Sequence, residues 1–102
     1  MNLINDALLE QNAEPNNDER YLVPGLVRGL AILKLFDQQH QEMTISEIAE
    51  KLDVNRSSAF RLIHTLEFCG YLRKMSQKTY ALNSNVMELG FNSLSKSSLT
   101  DL

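Results

Sequence analysis

Residues 54–72 run VNRSSAFRLIHTLEFCGYL, and Arg56, Ser57, Ser58, Phe60, Arg61 and His64 are the side chains there with chemistry to offer. A guanidinium pairs its parallel N–H donors with the two acceptors on the major-groove edge of guanine, and a serine hydroxyl donates to bases or phosphates. A projecting phenylalanine suits a thymine methyl. Basic side chains and free backbone N–H groups in a helix's first turn attract phosphate. Catalysis finds no such constellation. His40, His64 and Cys69 form no recognisable site, and there is no nucleophile–base pair, metal-ligand cluster or phosphate loop. The chain is expected to be no enzyme and to carry no metal or cofactor.

Taken singly, each of these residues is what any solvated helix face shows. Their concentration is what stands out. The 102-residue chain carries a net charge of −3, which by itself argues against a polyanionic partner. Yet residues 1–20 carry −4 and residues 21–53 carry −2, whereas residues 54–82 carry +4, with Glu67 as the only acid. Local charge decides where a polyanion sits. Arg73, Lys74 and Lys78 extend the basic stretch beyond the helix.

Elements that position these residues follow from spacing. Thr44 and Glu47 stand at capping-box spacing, with Met43 and Ile48 at the positions of a hydrophobic staple. Ile45, Ile48, Ala49 and Leu52 then repeat as the stripe of an amphipathic helix. Only Asp53, Val54 and Asn55 precede a second helix, capped by Asn55, striped by Ala59, Leu62, Ile63 and Leu66, and closed by Gly70. Two short amphipathic helices across so short a turn make a helix-turn-helix. At 100° per residue, Ser57, Arg61 and His64 lie opposite the apolar stripe, with Phe60 on the flank.

Before this pair, Pro24 starts a helix that is expected to run through Gln38, apolar on nearly every side. After it, YLRK and TYAL predict a short strand pair around MSQK, a turn without the Gly or Pro that would assign its type. A last helix is expected over 86–99. Cys69 is expected as a small buried residue near a helix end. A lone cysteine permits no internal disulfide and suits a reducing compartment. No apolar run is long enough to cross a bilayer and no secretory signal opens the chain, so a cytoplasmic setting without membrane contact is expected.

Taken together, LVRGLAILKLF, TISEIAEKLDVNRSSAFRLIHTLEFCGYL and YALNSNVMELG resemble the N-terminal winged helix-turn-helix of the IclR family of bacterial transcription regulators. The similarity covers about residues 21–95 in unbroken order, and the R-L-I-H-T-L-x-x-x-G-Y-L run is its most specific part. It implies a mainly α fold with a small β-hairpin, a winged helix-turn-helix followed by a linker helix. By composition, residues 1–20 are expected to be an acidic tail, disordered or weakly helical. The resemblance implies a DNA-binding domain at 21–82 and a linker helix at 83–102 leading to a C-terminal effector domain beyond this chain. Helix 55–69 is expected to enter the major groove and the wing, 71–82, to meet phosphates or the minor groove. The candidate DNA contacts are Thr44, Arg56, Ser57, Ser58, Phe60, Arg61, His64, Arg73, Lys74 and Lys78. Partners implied are double-stranded DNA with an inverted-repeat operator, a second copy of the chain, and a small-molecule effector on the further domain. Leu26, Leu30, Val86, Met87, Gly90, Phe91 and Leu94 are the candidate dimer contacts. Asp53 and Asn55 stand where the family commonly has Gly and Pro.

Two other readings fit the same pattern. One is a winged helix of another regulator class, MarR-like or ArsR-like. The other is a winged domain used only for protein contacts, which has no need of basic residues concentrated on helix and wing.

Overall fold

Pro24 sits at the first position of α1 (Pro24–Leu35), where its missing N–H costs nothing. The helix stops at Leu35, three residues short of the expected Gln38. Asp37 is the reason: its carboxylate accepts from the backbone N–H groups of Gln39 and His40, at 2.9 and 2.8 Å. Such a side-chain turn competes with helical continuation.

In the computed structural model, residues 18–94 are described, and they form four α-helices with a three-stranded antiparallel sheet. After α1 come β1 (Met43–Thr44), α2 (Ile45–Leu52), α3 (Arg56–Phe68), β2 (Leu72–Lys74), β3 (Thr79–Leu82) and α4 (Asn85–Leu94). Most of the acidic segment, residues 1–17, lies outside the described residues, as do residues 95–102, over which the last helix is expected to continue. Within 1–20, Asp18 caps a single 3-10 turn at Glu19–Tyr21 and pairs with Arg20 at 2.8 Å.

The architecture is the winged helix-turn-helix followed by a helix that the sequence implies, with one strand more than expected. β3 is central, pairing with β2 on one side and with β1 on the other, where Met43 faces Tyr80. A two-residue strand has no periodicity to read.

The core lies where α1, α2 and α3 meet the sheet. Ile32, Met43, Ile48, Leu52, Ile63 and Leu72 are fully buried. Phe36, Ala59 and Tyr80 join the same cluster, with Leu62 and Leu66 packed against it. Burying a side chain of that size contributes about 1.5–3 kcal/mol, so this cluster fixes the angle between α2 and α3.

Gly70 closes α3. Its φ of 89° is a conformation that L side chains rarely adopt. The N–H of Gly70 bonds to Glu67 O and that of Tyr71 to Leu66 O, the paired closure of a Schellman motif. Cys69 departs from expectation: it is exposed. The α3 stripe reaches Cys69 geometrically, but the core it packs on ends a turn earlier, at Leu66.

Candidate nucleic-acid interface

The two helices of the motif are held by local bonds. The Thr44 N–H donates to Glu47 Oε1 at 2.9 Å and the Glu47 N–H to Thr44 Oγ1 at 3.1 Å, a complete capping box. The backbone N–H of Thr44 holds the Glu47 carboxyl below its usual range, helped by the Thr44 hydroxyl. At the other end of α2, Asp53 takes the left-handed conformation itself, at φ 57° and ψ 47°. Asp tolerates that region better than most residues, so the turn forms without a glycine. Asn55 then caps α3, its Oδ1 accepting from the Ser58 N–H at 2.7 Å.

This frame presents Ser57, Phe60, Arg61 and His64 to solvent on one side of α3. Phe60 and His64 stack, with ring centroids 5.8 Å apart and planes within 15°. Arg61 makes no side-chain hydrogen bond or ion pair among the described residues, which leaves its donors open. Arg56 is different. Its Nη1 donates to Ser46 Oγ at 2.8 Å, tying the first turn of α3 to the first turn of α2. Ser46 had no place in the sequence-based site. The only signal for it was a polar residue in the first turn after the cap. Ser58 is half-buried and turned toward α1. Thr44 is half-buried too, with Oγ1 engaged as an acceptor in the cap.

In the wing, Ser76 does the work that Gly or Pro does in other hairpins. Its Oγ accepts from the N–H groups of Lys78 and Thr79 and lies 2.8 Å from Thr79 Oγ1. Thr79 Oγ1 in turn donates to Glu42 Oε1 at 2.9 Å, anchoring the turn to the segment before β1. Arg73, Lys74 and Lys78 are all exposed, but strand alternation turns Arg73 and Lys74 to opposite faces of the hairpin. Lys74 Nζ stands 6.0 Å from the centre of the Tyr80 ring. Arg73 instead lines a cleft with Phe36 and Gln41. The structure therefore does not gather the three basic wing residues into one patch.

The candidate dimer residues fall on two exposed surfaces. Leu26 and Leu30 project from α1, opposite the buried Ile32. Met87, Phe91 and Leu94 project from α4, with Val86 and Gly90 half-buried beside them. Leu89, not foreseen in this set, is also exposed. Among the described residues, nothing lies within 4 Å of where a Cβ on Gly90 would stand, so no contact among them calls for glycine there.

Among the described residues, no group of three or more His, Cys, Asp or Glu side chains is placed to hold a metal ion. Among the described residues, no helix is long and apolar enough to cross a membrane.

Comparison with known proteins agrees with this geometry. Residues 25–76 match the model of the IclR helix-turn-helix domain. The p-hydroxybenzoate hydroxylase transcriptional activator of Acinetobacter baylyi is 34% identical over 64 residues, 59% of this chain and 24% of that protein. The Pca regulon regulatory protein of Pseudomonas putida is also 34% identical, over 74 residues, 72% of this chain and 25% of the relative. Among solved structures, an IclR family transcriptional regulator from Brucella abortus superposes with a TM-score of 0.73 at 32% identity, covering 89% of this chain and 35% of its own. The chain thus spans about a quarter of the length of the curated relatives it matches.

Proposed function

The chain belongs to the IclR helix-turn-helix family, and from that premise we propose that it reads DNA as one half of a dimer, α3 in the major groove and the wing on the flanking backbone. It is a DNA-binding regulatory domain, and the relatives it matches are regulators rather than enzymes. The observation that carries the finer reading is the outward face of α3. Arg61, Ser57 and the stacked Phe60–His64 pair stand exposed, while the Asn55 cap and the buried stripe hold the helix beneath them rigid. Preorganised donors on a rigid element are what base readout requires.

In this reading Arg61 and Arg56 reach base edges, Arg56 steadied by Ser46. Ser57 and Ser58 serve bases or phosphates, Phe60 meets a thymine methyl, and Lys74 and Lys78 meet phosphate. Leu26 and Leu30 of α1, with Met87, Phe91 and Leu94 of α4, pack on their mates in a symmetric dimer. That dimer reads an inverted repeat with half-sites about one turn of DNA apart. The setting is the cytoplasm, and a small-molecule effector acts through a further domain.

Selection of duplexes from a random-sequence pool by the purified chain tests the assignment. Enrichment of an inverted repeat is the expected result, and retention of unselected sequence would contradict base readout. Arg61→Ala should then cost about 1–3 kcal/mol on the selected site and less on random DNA. Equal losses on both would demote Arg61 to a phosphate contact.

A further inference from the structure

One cleft beside α3 carries a chemistry that the interface above leaves unused. It opens between α1 and α3, holds about 270 Å³, and is lined by Gly25, Arg28, Ser58, Arg61, Leu62 and Thr65. Two guanidiniums line it and no carboxylate does. Arg28 Nε is shielded from water and has no hydrogen-bond partner. Buried polar groups in folded proteins nearly always have a partner, and two like charges on one cleft repel. An anion with several acceptor oxygens answers both. Of the other polar groups at the cleft, the Ser58 N–H is held by Asn55 and the Thr65 hydroxyl donates to Arg61 O at 2.7 Å, which leaves the Ser58 hydroxyl beside the guanidiniums.

Position names the anion. At 100° per residue Ser58 and Thr65 lie on the flank of α3 opposite Arg56. A helix in the major groove has a ridge of phosphates along each flank. The Arg56–Ser46 side faces one ridge and the cleft faces the other. Resting on the reading that α3 enters the groove, we propose that Arg28 binds a backbone phosphate diester in this cleft. Helix α1, outside the helix-turn-helix itself, is then a DNA-contacting element, with Arg61 at the cleft's rim directed to the bases. Open space around Gly25 leaves room for the backbone to approach.

The test compares the wild type, Arg28→Gln and a control, Lys51→Gln, on the selected duplex and on a random one. Each phosphate contact contributes about 0.9 to the slope of log K against log salt. Arg28→Gln should lower that slope by about one on both duplexes. Between 50 and 200 mM salt the wild type should therefore lose about threefold more affinity than the variant. Base preference and the control should not change. An unchanged slope overturns the proposal, and so does a loss confined to the selected duplex, which would make Arg28 a base contact. Duplexes carrying one uncharged methylphosphonate, scanned along the strand, should include a position that weakens the wild type but not Arg28→Gln.

An arm without any variant guards against a folding defect. The Arg28 Nε–H nuclear resonance of the wild type should move on adding duplex. A signal that ignores duplex but moves with inorganic phosphate would replace the DNA assignment with a free-anion pocket. A wild-type chain that binds no duplex would take down the parent reading and this one together. Binding without an Arg28 effect takes down this one alone.

Discussion

Helices α2 and α4 are both short and both carry apolar residues on one side, yet the chain treats them in opposite ways. α2 buries Ile48, Ala49 and Leu52 against α1, α3 and the sheet, and closes its N-terminus with a capping box. α4 has no fully buried residue and leaves Met87 and Phe91 75% and 66% exposed. Apolar periodicity announces that a face needs cover, and says nothing of what supplies it. For α2 the cover is in the same chain. For α4 the proposed cover is a second copy, since apolar surface of that extent on a regulatory domain marks an interaction site.

The sharpest break between the two helices is in stability. Ile48→Ala should destabilise the domain by about 2–5 kcal/mol, through lost burial and the cavity left behind. Phe91→Ser should change it by no more than about 0.5 kcal/mol. Denaturant unfolding of the two variants decides the matter, and comparable losses would mean that α4 belongs to the core after all. The same Phe91→Ser variant, with Met87→Ser, should weaken self-association in sedimentation on a two-half-site operator. Variants that still bind as tightly paired dimers would move the interface elsewhere.

A smaller effect separates the two ends of α2 from its middle. Thr44→Ala removes the cap acceptor and should cost about 1 kcal/mol, read as a lower unfolding midpoint. A loss as large as that of Ile48→Ala would point to a role for Thr44 beyond capping. The smallest effect is on pH. The Glu47 carboxyl sits below its ordinary value because it accepts from the Thr44 backbone N–H. A carboxylate lowered on folding stabilises above its unfolded value and loses that contribution as pH falls through the folded one. Glu47→Gln should therefore narrow the difference in stability between neutral and mildly acidic solution. An identical acid profile in the two proteins would remove Glu47 from the account.

Much of the fold was legible in the sequence because its signals are short. The capping box, the α2 stripe, the Asn55 cap and the Gly70 closure each involve residues within about five positions of one another, so they are visible in a string. The outward placement of Ser57, Phe60, Arg61 and His64 follows from the same helical arithmetic. The misses have the complementary cause. The end of α1 depended on Asp37 folding back onto Gln39 and His40, a turn that competes with a helical pattern still running. Cys69 lay on the stripe but past the edge of the core.

By itself, then, the sequence determined two capped helices across a three-residue turn, a basic face on the second, and more apolar surface than one small core can cover. Local hydrogen bonding and side-chain periodicity act along the chain and need no neighbour to be read. Only the tertiary structure decided that Met43 and Thr44 become a third strand against β3, that Thr79 is tethered to Glu42 across 37 positions, and that Arg56 rests on Ser46. It alone brought Arg28 and Arg61 to one cleft without an acid between them. Those pairings follow from the angles at which the buried residues lock the helices and the sheet together. No local pattern in the sequence encodes such an angle, because it arises only when the packed faces meet.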